Sequence, residues 1–153
     1  MSPTTRGRTG DRSTRGRHGA RSLPAAYALI PDPDLCAALR ARRLSLTSEA
    51  RLRLDFFNLD ELAARVLLER YPIVNDRPVV VMGLNTFGSA VLVEIAKRRR
   101  LHPSPARRLP VTVIDANAVP SVAALCRRYE FVADVCALTP HDAAPDDPAT
   151  AEL

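Results

Sequence analysis

The apolar positions of this chain change period several times, and each change marks an element. Residues 25–30, AAYALI, are a short apolar run with the length of a buried strand. In PDPDLCAALRARR, Asp32 suits an N-cap, Pro33 suits the first helical position, and Leu35 and Leu39 share one helical face. SLTSEA reads as a loop. In RLRLDFF, Leu52, Leu54 and Phe56 alternate with Arg51, Arg53 and Asp55, the pattern of a half-exposed strand. Asn58 and Glu61 then stand at capping-box spacing, with Asn in place of Ser or Thr. The helix they open carries Leu59, Leu62, Ala63, Val66 and Leu67 on one stripe and ends near Tyr71 and Pro72.

The second half repeats the alternation. After the turn-rich IVNDRP, residues 79–82 read as a strand and residues 88–100 as a helix. LHPSPARRLP is a Pro-broken loop, and VTVID is a second strand ending at Asp115. Residues 120–129 form a short helix with Val122, Leu125 and Tyr129 inward, and FVADVCAL reads as a third strand. The order is βαβα, then βαβαβ. The fold class is α/β, a mostly parallel sheet with helices packed on it and an incomplete second lobe. The strands at 79–82 and 111–114 are apolar on both faces. They are expected adjacent and central in one layer to which both halves contribute.

The charge has one location. The chain has 153 residues, a formal net charge of +5 and 46% hydrophobic content, with aromatics at 5%. Residues 1–22 carry six Arg and one Asp, which accounts for the whole excess. With no apolar periodicity, this segment reads as a disordered Arg-rich tail. The domains that follow are a βαβα lobe end at 23–75, a βαβαβ lobe start at 76–139, and a second disordered tail at 140–153, acidic and Pro-rich. The tail lacks interleaved aromatics, so nucleic acid is not the expected partner. No run approaches the roughly 18 apolar residues of a membrane span, and the chain reads as cytoplasmic. Cys36, Cys126 and Cys136 show no metal or disulfide spacing and read as reduced thiols. The single Lys, Lys97, against 21 Arg reads as codon bias of a GC-rich genome.

The chemistry gathers at GLNTFG. Read as a dinucleotide fingerprint, its three glycine positions fall on Gly83, Asn85 and Gly88, with Leu84, Thr86 and Phe87 between them. Gly83 suits a tight turn out of the strand, and Gly88 suits close helix–sheet packing. Asn85 stands where backbone must approach a pyrophosphate, and its side chain occupies that space. Amides of residues 85–88 at a helix N-terminus can hold an anion without a cationic side chain. Asp115 closes the next strand, where an acid accepts ribose hydroxyls and repels a 2′-phosphate. A P-loop is excluded because Ser89 and Ala90 stand where Lys and Ser or Thr are required. No positioned general acid or base is evident.

VVVMGLNTFGSAVLVEIAKR, VTVIDANA and LCRRYEF together resemble the start of the N-terminal nucleotide-binding domain of Trk-type potassium-uptake regulators, the regulator-of-potassium-conductance family. The earlier stretches, AYALIPDPDLCAALRAR and LDFFNLDELAARVLLERYP, resemble the end of such a domain. The chain looks like the tail of one Rossmann lobe joined to the head of the next. The resemblance implies a Rossmann fold, binding of NAD(H) or an adenine nucleotide, and gating of a potassium channel or transporter in trans. It also implies a homo-oligomer or a tandem lobe partner. Carried over by position, the cofactor residues are Gly83, Leu84, Asn85, Thr86, Phe87, Gly88 and Asp115. Asn85 departs from the family's glycine, so binding is expected to be weak or lost. The expected function is a non-catalytic regulatory module. The alternatives are a small NAD-dependent oxidoreductase, or a fragment of one, and a degenerate Rossmann domain acting only in assembly.

Overall fold

The computed structural model describes residues 24–45, 52–74, 77–101 and 107–144. The Arg-rich segment 1–22 lies outside the described residues, as do residues 46–51, 75–76, 102–106 and 145–153 of the loops and of the second tail. The element order is β1 (Ala25–Leu29), α1 (Pro33–Ser45), β2 (Arg53–Phe57), α2 (Leu59–Arg70), β3 (Val79–Met82), α3 (Thr86–Arg100), β4 (Leu109–Asp115), α4 (Ala118–Arg128), α5 (Phe131–Val135) and β5 (Cys136–Asp142).

The chain is α/β, with helices packed on two small parallel sheets. One is two-stranded, β1–β2; the other is three-stranded, ordered β3–β4–β5. The expectation of a single layer shared by both halves is therefore incorrect. β3 and β4 are adjacent, Val79 opposite Val111 and Met82 opposite Ile114, but β3 is an edge strand and only β4 is central. The halves meet through helices: α2 lies along α3, and Leu68 of α2 joins the core cluster of the second half. Small residues make that approach close, since Ala64 on α2 and Ala96 on α3 are both fully buried.

The helix caps follow the sequence. The Asp32 carboxylate accepts from the amides of Asp34 (2.8 Å) and Leu35 (3.1 Å), which starts α1. Asn58 accepts from the Glu61 amide at 3.0 Å, and its Nδ2 donates to the carbonyls of Ile30 and Pro31. One buried side chain thus opens α2 and ties it to the loop after β1.

Three local expectations need correction. The stripe on α2 faces outward: Leu59, Leu62, Val66 and Leu67 are exposed, and the buried residues are Ala64 and Leu68. On α1, Leu35 is exposed and Cys36 is buried instead. Residues 131–135, expected in the third strand, form α5; β5 begins at Cys136 and runs to Asp142, three residues into the expected tail. Parallel pairing of Val113 with Pro140 and Ile114 with His141 holds that extension in place. Proline is tolerated there because β5 lies at the sheet edge.

The main core lies between the three-stranded sheet and its helices. Leu92 and Ile95 of α3, Val111 and Val113 of β4, Val122 and Leu125 of α4, and Val132 of α5 are buried together. Burying each Leu or Ile side chain stabilises by about 1.5–3 kcal/mol. This core sets α3 against β3 and β4, and so fixes the turn between β3 and α3.

Candidate functional site

That turn opens at Gly83, whose amide donates to the Ile114 carbonyl at 2.8 Å. Its φ is +81°, in the left-handed region, and a Cβ built there has no neighbour within 4 Å. Glycine is needed at this position for backbone conformation, not for space. Gly88 is the reverse case. A Cβ there would collide with the Gly83 carbonyl oxygen and lie 3.1 Å from its carbon. The missing side chain lets the first turn of α3 sit directly on the glycine turn.

Asn85 has extended backbone with φ −69°, and its side chain folds back as the N-cap of α3. Its Oδ1 accepts from the Gly88 amide at 2.9 Å. One of the free amides at this helix start is therefore already satisfied within the chain. Thr86 and Phe87 are exposed on the first turn, where their amides have no intrahelical partner. Ser89 donates its hydroxyl to the Leu84 carbonyl at 3.3 Å and so closes the turn from inside.

Asp115 belongs to the same cluster. Its Oδ2 accepts from the Leu84 amide at 2.7 Å, and its Oδ1 accepts from the Asn117 amide at 2.9 Å. These two bonds, Asn117 first and Leu84 second, hold the carboxyl below the usual carboxylate range. The carboxylate thus links the turn after β3 to the turn after β4. Each oxygen keeps acceptor capacity beyond these bonds, which a ribose diol can use. The structure brings Gly83, Leu84, Asn85, Thr86, Phe87, Gly88 and Asp115 together at one end of the sheet.

Sequence reasoning missed a second acid at that end. Asp142 pairs in register with Asp115, and its Oδ1 accepts from the Val119 amide at 3.1 Å, in the first turn of α4. The sequence reading places it in the expected tail; its signal is an acid closing a strand, as Asp115 does.

A groove of about 330 Å³ was missed as well. It runs along α3 on the side facing α2, and Leu84, Asn85 and Thr86 form part of its wall. Asp60, Glu61 and Arg65 of α2, Glu94 and Lys97 of α3, and Arg128 and Tyr129 at the end of α4 add to its polar lining, with Asn58 and Ser89. Arg128 bridges to Asp34 of α1, with Nε at 3.1 Å from Oδ1, and so joins the two halves across the groove. Nearby, Arg98 donates to Glu94 at 3.0 Å and to the Arg65 carbonyl at 3.0 Å, joining α3 to α2. Burial pushes the Tyr129 phenol up, with Arg128 opposing. These residues come from four separate stretches, and no local spacing announces them.

The thiols do not enter either place. Cys36 and Cys136 are buried and Cys126 is half-buried, all in the free form. Burial pushes Cys136 up to about 11. Among the described residues no group of three His, Cys, Asp or Glu side chains gathers as a metal site. No helix among them is long and apolar enough to cross a membrane. No family model matches the chain, and neither a curated protein nor a solved structure matches it.

Proposed function

We propose that the chain is a non-catalytic regulatory module of Rossmann type that binds an adenine nucleotide at the β3–α3 turn and prefers NAD(H) to NADP(H). The observation that carries this reading is the Asp115 carboxylate, hydrogen-bonded to the Leu84 amide beside a glycine turn with positive φ. An acid held ionised at that position accepts ribose hydroxyls and repels a 2′-phosphate. The thread from there to potassium transport is the sequence resemblance. On that resemblance, the module acts on a potassium channel or transporter in trans, in the cytoplasm, and works as an oligomer or with a second lobe.

Affinity is expected to be low, for two reasons. Asn85 occupies the Gly88 amide that a phosphate oxygen would use. The described sheet stops after three strands, at β3, where a full Rossmann sheet continues past the switch point. A dissociation constant near millimolar, about −4 kcal/mol, is the expectation.

Calorimetric titration with NADH, NADPH and AMP tests this. Asp115→Ala should erase the preference for NADH. Asn85→Gly should tighten binding by freeing the Gly88 amide, at a cap cost of a few tenths of a kcal/mol. A second reading, assembly without a ligand, is favoured by the same two bonds: Asn85 and Asp115 both satisfy backbone amides of the chain itself. No heat with any nucleotide, in wild type and Asn85→Gly alike, would select it.

A further inference from the structure

The first half leaves apolar surface open on two adjoining elements. β1 and β2 form a sheet of two strands, and such a pair is marginal on its own. Parallel sheets normally have both faces covered. Here one face is open: along β1 the exposed residues are Ala25, Tyr27 and Leu29, whereas Ala26 and Ala28 are half-buried. Phe57 of β2 stands opposite Leu29 in register and so shares that face. α2 continues the surface. Its Leu59, Leu62 and Val66 stand at helical spacing on the side away from the buried Ala64 and Leu68, and all three are exposed. Tyr27, Phe57 and Leu62 line one open cleft, which makes the strand face and the helix stripe continuous. Tyr27 is 66% exposed, Leu59 58% and Val66 53%, and the patch offers on the order of 500 Å² of apolar surface, most of the roughly 800 Å² that each partner gives a standard interface. Patches of that size mark interaction sites.

The charges of α2 select what fits. Its first turn carries Asp60 and Glu61, and its last turn carries Arg70. No ion pair engages Asp60 or Arg70 among the described residues. We propose that the chain forms a two-fold homodimer through this patch, with α2 antiparallel to the α2 of a second copy and Tyr27, Leu29 and Phe57 of both copies enclosed in the same interface. An antiparallel copy sets Asp60 of one helix beside Arg70 of the other, once at each end, and opposes the two helix dipoles. A two-fold axis suits the patch because the same residues serve both partners and the contact closes on itself. The dimer covers the open sheet face that a two-stranded pair cannot cover alone. The proposal names a second copy as the partner in the oligomer suggested above, and it does not rest on nucleotide binding, since no residue of the glycine turn belongs to the patch.

Sedimentation equilibrium of the full chain tests this. Wild type should weigh twice the 16.7 kDa of one chain at about 100 μM, above the micromolar upper limit of dissociation constants for interfaces of standard size. Leu62→Asp and Val66→Asp each bury an unpaired charge in the dimer and should weaken association at least about tenfold. Both side chains are exposed in the single chain, so its circular dichroism spectrum should not change. Asp60→Arg and Arg70→Asp should each weaken association about threefold, and the double variant should restore it, because the pair occurs twice about the axis. Three results would each overturn the proposal: a wild type that stays a single chain at that concentration, a dimer that survives Leu62→Asp and Val66→Asp combined, or a double charge variant no better than its parents. Asp115→Ala alters the NADH preference and should leave the dimer intact, so the two readings fail separately.

Discussion

The first turn of α3 rests on the carbonyl of Gly83 because Gly88 has no β-carbon; a methyl there would collide with that oxygen. Gly88→Ala must push the helix off the turn, and overpacking of this kind costs about 1–3 kcal/mol. Gly83→Ala meets no neighbour, yet must hold φ at +81°, which costs about 1–2 kcal/mol. Urea unfolding of both variants checks this. A Gly88→Ala chain as stable as wild type would show that α3 can move away freely.

Asp115 predicts a response to acid. Its carboxyl is held below the usual carboxylate range by the Asn117 and Leu84 amides, so the folded state favours the ionised form. The stability this contributes is present above the unfolded value and is lost as pH falls through the lower folded value. Asp115→Asn should therefore lose stability at pH 7 and show a shallower decline below about pH 4 than wild type. Melting curves from pH 7 down to pH 2 give the comparison, and parallel declines in the two proteins would refute it.

Cys136 predicts the opposite limb. Burial raises its thiol from 9.0 to about 11, so the unfolded chain ionises it first. The stability it contributes is intact below about pH 9 and is lost as pH rises toward about 11. Cys136→Ala should flatten the alkaline decline, and the native Cys136 thiol should react with iodoacetamide more slowly than Cys126. Equal labelling rates for the two thiols would show Cys136 to be accessible.

The end of β5 predicts a sharp boundary for truncation. Ending the chain after Thr139 removes Pro140, His141 and Asp142 from the ladder with β4, and with them the Asp142 bond to the Val119 amide. Loss of that cap alone costs about 0.5–2 kcal/mol, so Asp142→Ala should lower the melting midpoint and the truncation should lower it further. A chain ending after Ala144 is the control. Similar midpoints for the two truncations would place the strand's contribution near zero.

Much of this architecture could be read locally. Gly83, Gly88, the Asn58 and Asp32 caps, and the pairing of β3 with β4 depend on short spacings that the chain states directly. The sheet division could not be read that way. Apolar residues in β1 and β3 look alike whichever sheet they enter, and the halves meet instead where α2 lies along α3, with Ala64 and Ala96 both buried. The same contact turned α2 so that Leu68 points inward and the wider stripe at Leu59, Leu62 and Val66 outward. Phe131 and Val132 carry strand propensity, yet packing beside α3 made them the start of a helix. The glycine-turn residues are contiguous and so legible in the sequence. Arg65, Lys97 and Tyr129 are brought together only by helix packing, and no pattern within one element reveals them.

The seam between the halves has a mechanical consequence. Strands within each sheet are joined by ladders of hydrogen bonds, whereas among the described residues no strand pairing joins one sheet to the other. What resists separation is the sliding of α2 over α3, the Arg98 bond to the Arg65 carbonyl, and the Arg128 bridge to Asp34. A chain stretched from its two ends should yield first at that seam, at low force, while β3, β4 and β5 stay zipped. The three-stranded half would give way last, at higher tension, when β4 is torn from its neighbours on both sides.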